Sequence, residues 1–320
     1  MTAPIKTIIV PLDGSELAEQ ALPVALDLAK ASGAELHLIH VFVPYAARAD
    51  MPGSAPGNAD LERRLEAQST EYLRAVTERV AAELPARIVA DPVRTRPIRS
   101  AHSESVAVVD RLRRAAVQLR PDLMVLATHA RGGLGRAWLG SVADAVVRRV
   151  NVPTLLVHPH ADAPAPSGNF SRIVVPLDGS ALAEEALPIA ARIAAITGAR
   201  VTLLRVIVPR LVVGRPSFVV EFDAQLLADH QRDAERYMER MAERIRGSVR
   251  DVDVSVLLAD GPAHAVIDWV EQHEADLVVM STHGRSGFRR FMLGSVADKV
   301  LRGTDVPVLL TRPGDSRKDA

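Results

Sequence analysis

The sequence predicts two tandem α/β domains, each an open, five-stranded parallel sheet with helices on both faces. Three observations carry that expectation. The chain repeats itself. Each copy alternates short Val/Ile/Leu-rich runs with amphipathic stretches. Finally, 320 residues, 48% of them hydrophobic, suit two units at roughly 100–200 residues per domain.

The repeat is read directly. Residues 8–44 (IIVPLDGSELAEQALPVALDLAKASGAELHLIHVFVP) and 173–209 (IVVPLDGSALAEEALPIAARIAAITGARVTLLRVIVP) align without a gap, and 21 of 37 positions are identical. Residues 122–159 begin DLMVLATHARGGLGRAWLGSVAD and end VPTLLVHP; residues 276–313 begin DLVVMSTHGRSGFRRFMLGSVAD and end VPVLLTRP. The offset is 165 residues for the first pair and 154 for the second, so the first copy carries 11 extra residues between Pro44 and Pro121. Units this long are domains, not the 20–50-residue repeats of a solenoid. The stretch Pro159 to Asn169 holds three Pro and no hydrophobic pattern, which reads as a semi-stiff connector. The expected division is a first domain over 1–158, a linker over 159–170 and a second domain over 171–320.

In the second copy, strands are expected near 172–176, 201–208, 251–258, 276–282 and 306–311. They are uniformly apolar rather than alternating, as parallel strands buried on both faces are. Helices are expected near 180–197, 221–247, 261–274 and 294–303. The first helix of the first copy lines up Leu17, Ala18, Ala21, Leu22, Ala25, Leu28 and Ala29 on one face. Pro23 and Pro188 fall inside these first helices and should kink them or delay their start, and Gly33 and Gly198 should end them. The order βαβαβαβαβ implies an open parallel sheet with right-handed crossovers. Residues 45–60 are Ala/Pro/Gly-rich and read as a mobile loop; Pro92 to Pro97 reads poorly as a strand.

Composition excludes several classes. There is no cysteine, hence no disulfide framework and no thiol catalysis. Basic and acidic residues balance at 39 each, so no field for nucleic acid is evident; of the basic residues 35 are Arg and 4 Lys. The start, Met1-Thr2-Ala3-Pro4-Ile5-Lys6, lacks the pattern of a signal peptide, and no apolar run approaches the roughly 18 residues of a membrane helix. A soluble, cytosolic protein is expected.

Open α/β sheets bind ligands at the carboxyl ends of their strands. Three segments of each copy end there. The first is Pro11-Leu12-Asp13-Gly14-Ser15, matched by Pro176-Leu177-Asp178-Gly179-Ser180. A carboxylate at a strand end can take a hydrogen bond from a ribose or hold a metal; the alternative is that Asp and Ser cap the helix. The second is the strand end at Val41 or Val206. The third runs Ala127-Thr128-His129-Ala130-Arg131 through Gly140-Ser141-Val142, matched by Met280-Ser281-Thr282-His283-Gly284-Arg285 through Gly294-Ser295-Val296. There a strand enters a basic loop and Gly-Ser opens a helix, whose orphan N–H groups and dipole make an anion site. The alternative is an ordinary Ser-capped helix. His129 and His283 occupy equal places in the two loops, where they either anchor the loop or act as a general base.

These segments together resemble the universal stress protein family. Its nucleotide-binding members carry Gly-x2-Gly-x9-Gly-Ser/Thr at the third segment. The second copy has Ser281-x2-Gly284-x9-Gly294-Ser295, with one glycine replaced, and the first has Ala127-x2-Ala130-x9-Gly140-Ser141, with two replaced. The resemblance covers nearly the whole chain, most weakly over 45–120. It implies a Rossmann-like fold of the adenine nucleotide alpha-hydrolase-like type, with ATP as ligand, with or without Mg2+. Asp13 and Asp178 would face the ribose and phosphates, Val41 and Val206 would meet adenine through main chain, and the Gly-Ser helix starts would hold phosphate. It also implies that the short final strands, Val152 to His158 and Val306 to Arg312, pair across a pseudo-twofold, with homodimers of tandem chains as a further step.

Other motifs are absent: no G-x-x-x-x-G-K-S/T loop, no G-x-G-x-x-G from Gly132, Gly133 and Gly135, no G-x-S-x-G elbow, and no paired histidines for zinc, His158 and His160 included. The leading reading is an ATP-binding stress-response module. The alternatives are a slow ATPase or phosphotransferase, and a scaffold with degenerate pockets.

Overall fold

The computed structural model describes residues 3–42, 59–82, 88–94, 104–128, 139–159, 165–209, 224–282 and 293–312. The chain divides into two compact units, one built on Ala3–Asn169 and the other on the chain from Phe170.

In the first unit, β1 (Thr7–Leu12) leads through α1 (Glu16–Glu19) and α2 (Ala21–Ser32) to β2 (Glu35–Phe42). Then follow α3 (Ala59–Ala81), β3 (Ile88–Arg94), α4 (Glu104–Leu119), β4 (Leu123–Ala127), α5 (Ser141–Arg149) and β5 (Thr154–Val157). The sheet order is β3-β2-β1-β4-β5, and every pair is parallel. Ile8, Ile9 and Val10 of β1 and Leu123, Met124 and Val125 of β4 are fully buried. That is why the central strands read as unbroken apolar runs. Right-handed crossovers in this order place α2 and α3 on one face and α4 and α5, which pack on each other, on the opposite face.

The second unit repeats the pattern with β6 (Arg172–Pro176), α6 (Ala181–Glu184), α7 (Leu187–Thr197), β7 (Arg200–Ile207) and α8 (Ala224–Arg246). It continues with β8 (Val252–Leu258), α9 (Pro262–Gln272), β9 (Leu277–Ser281), α10 (Ser295–Gly303) and β10 (Val308–Thr311). Its order is β8-β7-β6-β9-β10, again all parallel.

The expected first helix is broken in both units. α1 stops after one turn and α2 begins at Ala21, with Pro23 in its first turn; α7 begins at Leu187 with Pro188 beside it. A proline has no N–H for the preceding turn but fits a helix start, so the chain ends one helix and opens another. Gly33 and Gly198 close α2 and α7 in the left-handed region, at φ 71° and 75°.

Three expectations need correction. Pro92 lies inside a strand, opposite His40 in the β2–β3 ladder. β3 is the outermost strand of its unit's sheet, where the missing N–H of a proline costs no ladder bond. Residues 59–60, read as part of a loop, open α3; the rest of that loop lies outside the described residues, as do Thr95 to Pro97. The end of the connector is docked rather than merely stiff. Ser167 Oγ and the Gly168 N–H both donate to Asp27 Oδ2, at 2.8 and 3.0 Å, and Gly168 lies flat against the Val24 carbonyl of α2.

The extra residues of the first copy fall mainly between β3 and β4. The offset between units is still 165 from Ala59 to Ala224 and 164 from Ile88 to Val252, but 154 from Leu123 to Leu277. Ten of the 11 therefore lie between β3 and β4, around a helix of 16 residues where the second unit has 11. No helix among the described residues is long and apolar enough to cross a membrane.

Candidate functional site

Each unit holds its two central strands together at one end and lets them part at the other. At the amino end Asp122 Oδ2 accepts the N–H groups of Lys6 and Thr7, at 2.8 and 3.2 Å. In the second unit Asp276 accepts those of Ser171 and Arg172, at 2.7 and 3.0 Å. The β1–β4 ladder then runs only over Ile8–Leu123 and Ile9–Met124, and β6–β9 only over Ile173–Leu277 and Val174–Val278. Beyond it each strand stays bonded to its outer neighbour, so a crevice opens at the carboxyl ends of β1 and β4, and of β6 and β9. The strand order reverses at this point, where ligands bind in open α/β sheets. Pro11 and Pro176 sit where the inner ladder has ended.

Asp13 and Asp178 stand at the mouth of these crevices. Asp13 Oδ1 accepts the Ser15 N–H at 2.9 Å and the Ser15 hydroxyl at 2.6 Å, and Ser15 Oγ accepts the Ala18 N–H at 3.2 Å. The second unit reproduces this at 2.9, 2.5 and 3.2 Å. The capping alternative is thus realised: Ser15 and Ser180 are the N-caps of α1 and α6. The same bonds orient the carboxylates at the strand ends. Gly14 and Gly179 turn the chain there at φ 82° and 81°, a conformation only glycine takes at low cost. Leu12 and Leu177, between the prolines and these carboxylates, are buried.

The ends of β2 and β7 supply main-chain groups. In a parallel strand the N–H and C=O of successive residues face alternate neighbours. Glu35 donates its N–H to the Lys6 carbonyl, so Glu35, His37, Ile39 and Val41 face β1. The β1–β2 ladder runs to Leu12, opposite His40, and Val41 is the next residue of β2 that faces β1. In the second unit the Leu204 carbonyl accepts from Leu177 and that of Ile207 from Ala259, which leaves Val206 facing the side of β6 beyond its end.

The helix starts complete the crevice. The Gly140 N–H donates to the Thr128 carbonyl at 2.7 Å, and Gly294 to Thr282 at 2.7 Å, so the first residues of α5 and α10 are pinned to the ends of β4 and β9. Gly140 and Gly294, not the serines, are the N-caps. The alternative of a Ser-capped helix therefore fails: Ser141 and Ser295 are exposed first-turn residues rather than caps. Val142 and Val296 are half-buried next to them, Ala127 is half-buried, and Met280 and Ser281 are buried. His129, Ala130, Arg131, His283, Gly284 and Arg285 lie outside the described residues, as do Gly132, Gly133 and Gly135. Among the described residues no group of three or more His, Cys, Asp or Glu could hold a metal ion.

One cluster was not anticipated from the sequence. Tyr72 of α3 donates its hydroxyl to Glu19 of α1 at 2.9 Å, and Arg79 pairs with the same carboxylate. Tyr237, Glu184 and Arg244 repeat the arrangement, at 3.2 Å for the hydroxyl and 2.5 Å for the ion pair. Burial first, and the glutamate's charge second, push both phenols well above the usual tyrosine range, with a smaller contribution from Asp13 or Asp178. The signal was available: all three residues recur at the offset of 165, which continues past residue 44 through α3.

The model of the universal stress protein family matches residues 4–158 and again 169–312. The chain belongs to the universal stress protein family. A universal stress protein of Mycobacterium tuberculosis is 33% identical over 195 residues, 60% of this chain and 62% of that one. The match thus spans under two thirds of that relative's length. A universal stress protein from Archaeoglobus fulgidus shares the fold across nearly the whole chain: 19% identity, 96% of this chain and 98% of that one, TM-score 0.68. A universal stress protein solved in complex with cAMP is 25% identical, over 49% of this chain and 100% of that one, with TM-score 0.35.

Proposed function

We propose that this universal stress protein is a stress-response binding module whose ligand is an adenine nucleotide, ATP in the first instance, held in the crevice of each unit. The observation that carries the reading is the helix start at Gly140 and Gly294. A helix that opens on a glycine, tied to a strand end near an oriented carboxylate, presents N–H groups and a dipole that suit a phosphate. The main chain at the end of β2 or β7, at Val41 or Val206, would meet the edge of a base, and Asp13 or Asp178 would offer an acceptor to a ribose hydroxyl. Divalent cation would arrive with the nucleotide, since each crevice brings one carboxylate at its strand end.

Binding, rather than turnover, is the activity proposed. A phosphoryl-transfer enzyme needs metal carboxylates and a positioned base, and the described part of the crevice supplies neither set. The second crevice is proposed as the stronger site, because Gly284 stands where the first copy has Ala130. Mass spectrometry of small molecules released from the purified chain tests the reading: adenine nucleotide is expected, with turnover slower than about one per minute. Rapid hydrolysis would replace it with the phosphotransferase reading, and no affinity for any nucleotide with the scaffold reading.

A further inference from the structure

The two crevices share the bonds of their Asp–Gly–Ser turns and helix starts, and one of the places where they differ lies beneath the strand ends. In the first unit, residue 40 of β2 is a histidine. Its Nδ1 lies 2.7 Å from Ser69 Oγ on α3, and its ring meets the Tyr72 ring edge-on at 5.2 Å. In the second unit, the equal position of β7 is Arg205, and the position of Ser69 is taken by Ala234. Arg205 donates from Nη1 to the Leu177 carbonyl at 3.2 Å, one residue before Asp178. The two substitutions make a set: histidine with its hydroxyl partner in one unit, arginine with a methyl in the other.

Resting on the nucleotide reading, we propose that Arg205 is a specificity-determining residue that makes the second crevice a site for the more highly phosphorylated nucleotide, while His40 leaves the first for a ligand of lower charge. Each crevice carries a carboxylate at its mouth, and a polyphosphate brought beside it adds negative charge in a partly buried place, where charges are weakly screened. A guanidinium is positive at all working pH values, so Arg205 offsets that charge permanently. An imidazole near neutral pH carries at most a fraction of a charge, and His40 is engaged with Ser69. Tyr237 sits in the same field: Arg205 and Asp178 act on its phenol in opposite senses, as expected if the guanidinium and the carboxylate share one neighbourhood. Arg205 acts independently of the Gly284 and Ala130 difference, and both favour the second crevice for ATP.

The test is calorimetric titration of the full chain with AMP, ADP and ATP, using wild type, Arg205→Met, Arg205→Lys and His40→Arg. Arg205→Met is expected to weaken ATP about tenfold, the size of one charge-assisted contact, and AMP by about threefold or less. Arg205→Lys, which keeps the charge, should restore most of the ATP preference and guards against a loss caused by misfolding alone. His40→Arg should tighten ATP at the weaker site. Equal losses for all three nucleotides, or a preference for ATP that survives Arg205→Met, would overturn the proposal while leaving the nucleotide reading intact. A wild-type chain that takes up none of the three would remove that reading, and the proposal with it.

Discussion

The first and second units hold the same Asp–Gly–Ser turn, the same glycine-opened helix start and the same Tyr–Glu–Arg cluster, and their serine and tyrosine hydroxyl bonds agree within about 0.3 Å. What differs is what those shared parts hold between them. The second unit has Arg205, Ala234, Ser281 and Thr311 where the first has His40, Ser69, Ala127 and Val157. The frame is thus duplicated faithfully and the lining is not. Duplicated chains can change ligand preference this way, because frame bonds are mutually dependent and lining residues are not.

The largest expected effect separates the crevices as binding sites. Asp178→Ala should remove most ATP affinity, about tenfold or more, and Asp13→Ala less. Each variant loses the same two bonds to its serine, so matched falls in melting temperature would show that the difference lies in binding. An unchanged titration for Asp178→Ala beside a loss for Asp13→Ala would reverse the assignment.

The shared frame is tested next. Tyr72→Phe and Tyr237→Phe each remove a half-buried hydrogen bond to a carboxylate, and each should cost about 1–2 kcal/mol in urea unfolding. Near-equal costs are expected; a tyrosine that mattered in one unit alone would break the symmetry. Both phenols hold their protons above the ordinary value of 10.0. A raised folded-state value means that their contribution is complete below about pH 10 and is lost as pH climbs through the folded value. Of the three tyrosines, two should resist ionisation until alkaline unfolding, read by absorbance of the phenolate.

Gly284→Ala should weaken ATP by about fivefold, the cost of forcing a left-handed residue or crowding a phosphate. The smallest effect concerns Ser281 and Thr311, neighbours in the β9–β10 ladder whose hydroxyls are buried and meet no partner among the described residues. Replacing them with the first unit's residues, Ser281→Ala with Thr311→Val, removes two unsatisfied groups. Stability should hold or rise by up to about 1 kcal/mol. A clear loss would mean that the hydroxyls do have partners, which would point to a use for Ser281 in the crevice.

What could be read from the sequence by itself was set by neighbours along the chain. The repeat, the parallel strands, the glycine caps at Gly33 and Gly198 and the disturbance of the first helices by Pro23 and Pro188 are local matters of pattern and backbone conformation, and the expectation of ligands at the carboxyl ends followed from the parallel sheet. Only the tertiary structure decided the rest. β3 tolerates Pro92 because it lies at the edge of its unit's sheet, a fact of topology. The capping question was settled at Gly140 by a bond to Thr128 that spans 12 residues, and Tyr72 finds Glu19 across 53. Arg205 and Leu177, 28 residues apart, meet because two parallel strands carry them to one edge. Contacts of this kind depend on which faces pack together, and a linear pattern records only which face each residue lies on.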